Sequence, residues 1–212
     1  MNIIDLKRQK RVYLIGLTGN IACGKSAVLD LLKRRGASTI DADKVAHYLM
    51  EPGGAAYTPI LFRFGEGILF DNLPEPRPID RVKLGAIVFS SPAALADLEK
   101  IVHPLVLAEI SQKITQATES VVIVDAIKLF ESGLADPCNA VWAVTCSSEK
   151  QLERLMSRNN FPRDEALLRI NSQPPQTEKI ARASVVIDNS GTLAETERQV
   201  DAAWSKIPAC YL

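Results

Sequence analysis

The stretch VYLIGLTGNIACGKSAVLDLLKR, residues 12–34, decides the fold of this 212-residue chain. It starts with a short apolar run that is typical of a buried strand and ends with apolar residues at helical spacing. Between them, the segment from Gly19 to Ser26 matches GxxxxGK[ST]. Glycines let backbone N–H groups wrap around phosphates, and the N-terminus of the following helix adds positive potential. The stretch therefore predicts a strand, a phosphate-binding loop and a helix.

Two side chains of this loop have predicted roles of their own. Lys25 reaches the β- and γ-phosphates of ATP, and the Ser26 hydroxyl is a ligand for Mg²⁺. The competing interpretation is a tight turn with an exposed lysine, which seldom produces the complete motif between a strand and a helix. The loop alone predicts ATP and phosphoryl transfer but does not identify the acceptor.

Short apolar runs recur along the chain and alternate with helix-like stretches. They lie at residues 37–41 (ASTID), 121–125 (VVIVD), 141–145 (VWAVT) and 184–188 (SVVID). Continuous apolar runs are typical of strands that are buried on both faces of a parallel sheet. The pattern predicts an α/β, doubly wound fold.

Local patterns predict where some helices begin and end. Ser148 with Gln151, and Thr192 with Glu195, have the spacing of capping boxes. Pro104 is expected to break or kink the helix around it, because proline lacks a backbone donor.

The second and third apolar runs are too far apart for a simple crossover, which predicts an insertion. We assign a P-loop core to residues 11–43, 119–147 and 183–206. Residues 44–118 form a predicted inserted helical subdomain. Residues 148–182, called the basic segment below because basic residues outnumber acidic ones there, form a predicted helical lid that closes over phosphates.

Composition narrows the class of protein. The 25 basic and 25 acidic residues balance, so no global charge favours nucleic acid or a membrane surface as a partner. No apolar run reaches the ~18 residues of a membrane span. The four cysteines form no CxxC pair, which favours a reduced, cytoplasmic protein. Residues 1–10 are expected to be a loosely ordered polar lead-in.

Three carboxylates follow predicted strands. Asp41 and Asp43 end the second, and Asp125 ends VVIVD, a Walker-B-like pattern. In parallel sheets, ligands bind beyond the carboxyl ends of the strands. Asp41 or Asp43 could accept a proton from an attacking hydroxyl or cap the next helix. Asp125 could hold Mg²⁺ through water or cap a turn.

Five blocks of the sequence together resemble the dephospho-CoA kinase family, over about residues 13–191. They are GLTGNIACGKS (16–26), DADKVAH (41–47), LEKIVHPLV (98–106), VDAIKLFESGL (124–134), and RINSQPPQTEK (169–179) leading into VIDNSG (186–191). The resemblance implies a nucleoside-monophosphate-kinase-like fold with a five-stranded parallel core, a helical CoA-binding domain and a lid. It also implies transfer of the γ-phosphate of ATP to the ribose 3′-hydroxyl of dephospho-CoA, the last step of coenzyme A synthesis.

The resemblance also implies roles for individual residues. Asp43 becomes the candidate general base, and Arg154 is expected to steady the transferring phosphoryl group. Arg81 and His103 are expected in or near the acceptor-binding domain, and Asn189 near the adenine. The implied nucleotide-binding set is completed by the loop and the residue after it: Gly19, Ala22, Cys23, Gly24, Lys25, Ser26 and Ala27.

The chain departs from the family pattern at several positions. Asn20 stands where glycine is usual, and asparagine tolerates a positive φ. Ala22 and Cys23 replace a frequent Gly-Ser, and Ile127-Lys128 replaces Pro-Leu. Cys23 lies beside a helix N-terminus, which can lower a thiol pKa, although a small residue that simply fits is the plainer interpretation.

Overall fold

The structure is a computed structural model, and it describes Ile3 and residues 11–212. The expected lead-in at residues 1–10 therefore lies outside the described residues, apart from Ile3. The chain forms two compact units. One comprises residues 11–41 and 114–212, and the other residues 42–113.

The helices and strands alternate along the first unit, whereas the second unit is largely helical. In chain order the elements are β1 (Tyr13–Thr18), α1 (Lys25–Arg34), β2 (Ser38–Asp41), α2 (Ala42–Met50), α3 (Tyr57–Phe64), a 3₁₀ turn (Glu66–Ile68), α4 (Arg81–Ser90), α5 (Pro92–Gln116), β3 (Val121–Asp125), β4 (Ala140–Thr145), α6 (Ser148–Asn159), α7 (Arg163–Asn171), α8 (Gln176–Arg182), β5 (Val185–Asp188), α9 (Leu193–Trp204) and a 3₁₀ turn (Ala209–Tyr211).

The five strands form one parallel sheet in the order β2-β3-β1-β4-β5. The predicted α/β class and five-stranded parallel core are confirmed. Strand β1 lies in the centre, so the loop that follows it leaves the middle of the carboxyl edge. This is the position at which open parallel sheets bind ligands.

The core of the first unit explains why β1 and α1 pack together. Ile15 and Leu17 alternate along β1 and share one face of the sheet, where they join a buried cluster with Val28 and Leu32 of α1. On β1, Gly16 leaves room for Leu129, because an added Cβ would lie 2.7 Å from Leu129 Cδ2. Burial on both faces holds the strand, and therefore the start of the loop, in a fixed position.

Two local predictions need correction. The cap of α6 is Ser147, whose side chain accepts a hydrogen bond from the Lys150 amide, whereas Ser148 is the first helical residue. Helix α5 continues through Pro104, so the predicted break is wrong, whereas the alternative, a kink, stays a prediction. Pro104 and Lys100, whose carbonyl loses its helical donor, are both exposed, so solvent can satisfy that carbonyl. The predicted capping box of α9, with Thr192 and Glu195, is confirmed.

Among the residues that the structure describes, no helix is both long and apolar enough to cross a bilayer.

Candidate active site

The phosphate loop connects β1 directly to α1. Gly24 precedes the first residue of α1 and has φ 86°, and Ala22 has φ 58°. The sequence suggested Asn20 as a residue suited to positive φ, but the left-handed residues are Ala22 and Gly24. Asn20 contributes through its side chain instead, as described below.

Two glycines of the loop are required by close neighbours. A Cβ on Gly24 would collide with the Asn189 amide nitrogen, and its positive φ already disfavours a side chain. A Cβ on Gly19 would lie 2.5 Å from the Val144 carbonyl oxygen. The loop therefore runs in close contact with the end of β4 and with the segment after β5.

The backbone of Ile21, in the middle of the loop, is held by two glutamines of the basic segment. The Ile21 amide donates to Gln173 Oε1 at 2.7 Å, and the Ile21 carbonyl accepts from Gln151 Nε2 at 2.8 Å. Both backbone groups thus have partners more than a hundred residues away. Sequence analysis considered Gln151 only as a possible capping residue, and it did not single out Gln173, which lies in the turn between α7 and α8.

The side chain of Asn20 bridges the loop to the same segment. Its Nδ2 donates to the Pro174 carbonyl at 2.8 Å, and its Oδ1 accepts from Lys179 Nζ at 2.9 Å. Lys179 is only 5% exposed, and Asn20 is equally buried. Sequence analysis counted Lys179 as one basic residue of the segment and missed this buried contact with the loop.

The Cys23 carbonyl is the third point at which the loop is held. It accepts from Asn189 Nδ2 at 2.9 Å and from Arg154 Nη1 at 3.4 Å. Arg154 also donates to the Asn189 carbonyl at 2.7 Å, and Thr196 donates to Asn189 Oδ1 at 2.9 Å. Arg154 and Asn189, two sequence-predicted site residues, therefore meet beside the loop.

Lys25, the first residue of α1, forms an ion pair with the last residue of β3. Its Nζ lies 2.6 Å from Asp125 Oδ1, and both side chains are largely buried. Asp41 ends β2 as the register partner of Asp125. Lys25, Asp41 and Asp125 thus lie at the carboxyl edge of the sheet, where strand-end carboxylates were expected.

The loop thiol has a pKa opposite to the one that a helix N-terminus would produce. A hydrogen bond with the Cys146 thiol and burial raise the pKa of Cys23. The hydrogen bond from Cys23 lowers the pKa of Cys146, and the Arg154 guanidinium adds to this effect. Burial and a neighbouring sulfur therefore outweigh the helix terminus at Cys23.

Three other arginines of the basic segment have partners outside the loop. Arg158 donates to Asn159, Arg169 pairs with Glu165, and Arg182 stacks over Phe130. Of the arginines expected to form a cluster with Arg154, these three do not contact the loop in this structure.

The remaining predicted site residues lie in the helical unit. Asp43 is the second residue of α2 and is exposed, Arg81 is the first residue of α4, and His103 lies half-buried in α5. Asp43 follows the last residue of β2 by two positions in the chain. The roles assigned to these three residues stay predictions.

The oxygen donors near the loop suit a hard cation. The Ser26 residue is exposed, and the Asp125 carboxylate lies at the end of the neighbouring strand. Mg²⁺ is usually held by one or two protein oxygens together with substrate phosphates. Within residues 11–212, no cluster of three or more His, Cys, Asp or Glu side chains is placed to hold a metal ion.

Comparison with known proteins shows which family this chain resembles. The family model described as dephospho-CoA kinase matches residues 13–195. The dephospho-CoA kinase of Carboxydothermus hydrogenoformans is 45% identical over 190 residues, covering 88% of this chain and 90% of the relative. That of Geobacter sulfurreducens is 43% identical over 196 residues, covering 91% and 98%.

Solved structures agree with the sequence relatives. A crystal structure from Thermus thermophilus has a TM-score of 0.80 at 30% identity, covering 93% of this chain and 99% of the other. The dephospho-CoA kinase from Campylobacter jejuni has a TM-score of 0.65 at 28% identity, covering 94% and 98%. With a loop built for phosphates at the centre of a parallel sheet, and a family match that includes every strand, the chain belongs to the dephospho-CoA kinase family.

Proposed function

We propose that the chain transfers the γ-phosphoryl group of ATP to the ribose 3′-hydroxyl of dephospho-CoA, giving coenzyme A and ADP. The observation that carries this proposal is the complete phosphate loop between β1 and α1, within a family match over residues 13–195. A parallel sheet that places Lys25 and Asp125 at its carboxyl edge supports the phosphate end of the reaction.

The reaction needs positioning and charge neutralisation more than covalent chemistry. Lys25 would exchange its contact with Asp125 for the β- and γ-phosphates, and Arg154 would neutralise charge on the transferring group. Ser26 and Asp125 would hold Mg²⁺, which would offset the negative charge of the phosphates. Asp43 would accept the proton as the 3′-hydroxyl oxygen bonds to the γ-phosphorus and the bond to the β-phosphate oxygen breaks.

ATP and the acceptor would be recognised by different residues. Asn189 would border the adenine of ATP, because it is fixed beside the loop by Thr196 and the Cys23 carbonyl. Arg81 and His103 would contribute to the acceptor site. We also expect a cytoplasmic location, because the cysteines in the described part of the chain form no disulfide.

An acceptor panel tests the proposal. ADP release is measured with ATP and Mg²⁺ in the presence of dephospho-CoA, a nucleoside monophosphate, or no acceptor, and the product is identified as the 3′-phosphate. We expect ADP release that depends on dephospho-CoA. Phosphorylation of the nucleoside monophosphate alone would instead assign another kinase of the same fold, and ATP binding without turnover would indicate a binding protein.

A further inference from the structure

Two buried thiols meet next to the phosphate loop. Cys23 lies within the loop, and Cys146 directly follows β4. Both side chains belong to the same buried cluster, and they are 0% and 7% exposed. Both residues also contact one amide oxygen: Gln176 Oε1 accepts from Cys23 Sγ at 3.3 Å and from the Cys146 amide at 3.2 Å. The Gln176 side chain thus bridges the two cysteine residues.

The two thiols are chemically unequal. The hydrogen bond from Cys23 and the charge of Arg154 lower the pKa of Cys146, although burial and Asp188 act against them. The same hydrogen bond and burial raise the pKa of Cys23. Cys146 is therefore the better nucleophile towards an oxidant, and Cys23 is a protonated neighbour placed to react second.

We propose that Cys23 and Cys146 form a reversible disulfide that turns the enzyme off when the thiols meet a hydroperoxide. The Cys146 thiolate attacks the peroxide and breaks its O–O bond, which gives a sulfenic acid and releases hydroxide or alkoxide. The Cys23 sulfur then displaces water from this sulfenic acid, and the S–S bond forms. The peroxide is the two-electron oxidant, and two thiols are oxidised.

The regulatory consequence rests on the proposed function. A disulfide fixes its two sulfur atoms about 2 Å apart, closer than two thiols can lie without a bond, so the loop at Cys23 has to move towards β4. The Cys23 carbonyl binds Asn189 and Arg154, and Ser147, next to Cys146, caps the helix that carries Arg154. A displacement of about 1 Å at a phosphate site costs roughly 10²-fold in rate. The bond is thus expected to disturb both the loop and its arginine.

The experiment treats the full-length, reduced protein with hydrogen peroxide and then removes the peroxide. Mass spectrometry of the intact protein and of its unreduced peptides measures the fraction joined between Cys23 and Cys146, independently of activity. Dephospho-CoA-dependent ADP release is measured on the same samples. We expect activity to fall in proportion to the joined fraction, by at least about tenfold when the bond is fully formed. Activity should return after dithiothreitol.

Two variants control for the other thiols. Cys146→Ala should keep its activity after peroxide, whereas the double variant C138A/C210A should be inactivated like the original protein. If Cys146→Ala folds poorly, C138A/C210A still tests the pair, since it retains only these two cysteines. Failure to find the Cys23–Cys146 peptide would overturn the proposal whatever happens to activity.

Two further outcomes distinguish a failure of the proposed disulfide switch from a failure of the proposed function. A fully formed disulfide with undiminished activity would overturn the switch. A reduced protein that phosphorylates no acceptor would contradict the proposed function, and the peptide measurement would still decide whether the bond forms.

Discussion

The phosphate loop has two parts that are built in different ways. We call Gly19, Gly24, Lys25 and Ser26 the anchors and Asn20–Cys23 the interior. The anchors match a local motif, and their roles depend on backbone freedom, charge and the start of α1. The interior is held by residues 130 to 166 positions away, among them Gln151 and Asn189. The chemistry of the loop is therefore local in the sequence, while its shape is not.

The energetic consequences differ as well. Loss of an anchor charge removes an interaction with phosphates in the transition state, worth about 10²–10³-fold in rate. Loss of an interior contact removes one hydrogen bond, worth about 1 kcal/mol when neutral and about 1.5–3 kcal/mol when charged. The comparison predicts large catalytic effects at the anchors and smaller, mixed effects on stability and binding at the interior.

The largest effect is expected for Lys25→Ala. This change removes the ammonium that faces Asp125 and is proposed to bind the phosphates, so kcat/KM should fall by about 10³-fold. Acceptor-dependent ADP release measures the loss. The matched control is Lys33→Ala on the same helix, whose exposed side chain pairs with Asp30 and should leave the rate unchanged. Normal activity of Lys25→Ala would refute the anchor role.

Asp43→Asn examines a proposed catalytic group outside the loop. Because the amide cannot accept the hydroxyl proton, kcat should fall by about 10²–10³-fold. The dissociation constant for ATP should stay the same, since the loop is untouched. Rapid kinetics and nucleotide titration measure the two quantities, with the exposed Asp30→Asn as control. Unchanged turnover would contradict the assignment of Asp43 as the base.

Gly24→Ala and Gly36→Ala separate two reasons why an anchor has to be glycine: the positive φ of its backbone and the lack of space for a Cβ. Both glycines have a positive φ, 86° and 89°, but only Gly24 has neighbours within 4 Å of an added Cβ. Each change should lower the free energy of unfolding by about 1–2 kcal/mol through the left-handed backbone. Only Gly24→Ala should displace Asn189 and lower kcat/KM by more than about tenfold.

Denaturant unfolding and steady-state kinetics on both variants check this prediction. Equal activity of the two variants would show that contact with Asn189 does not matter for the reaction.

The smallest catalytic effect is expected for Lys179→Met, which tests the interior. Asn20 Oδ1 would lose a charged donor, so the free energy of unfolding should fall by about 1.5–3 kcal/mol. The KM for ATP should rise a few-fold, because the loop is less well fixed, with kcat largely kept. Lys150→Met, at an exposed pair with Glu153, is the control. A loss in kcat as large as that of Lys25→Ala would remove the distinction between interior and anchors.

The sequence was sufficient for the sheet and the anchors because both depend on local patterns. Apolar runs located all five strands, and the motif located Lys25 and Ser26. It was insufficient for the interior, where Gln151, Gln173 and Lys179 act through contacts that only the folded chain creates. Helix boundaries show the same limit on a smaller scale.

Ser147 and Ser148 are adjacent hydroxyls, and only the backbone geometry selects Ser147 as the cap of α6. Pro104 is compatible with α5 because Lys100, whose carbonyl loses its backbone donor, is exposed. The sequence alone does not reveal that exposure.

The distant supports of the loop also affect how the protein is made. Residues 19–26 leave the ribosome early, but the amide of Asn189 that binds the Cys23 carbonyl is synthesised 166 residues later. At roughly 5–20 residues per second, the interval is roughly 8–33 s. During translation the nascent chain therefore carries the whole nucleotide motif without the contacts that shape it. Competence to bind ATP is expected to arise only near the end of synthesis.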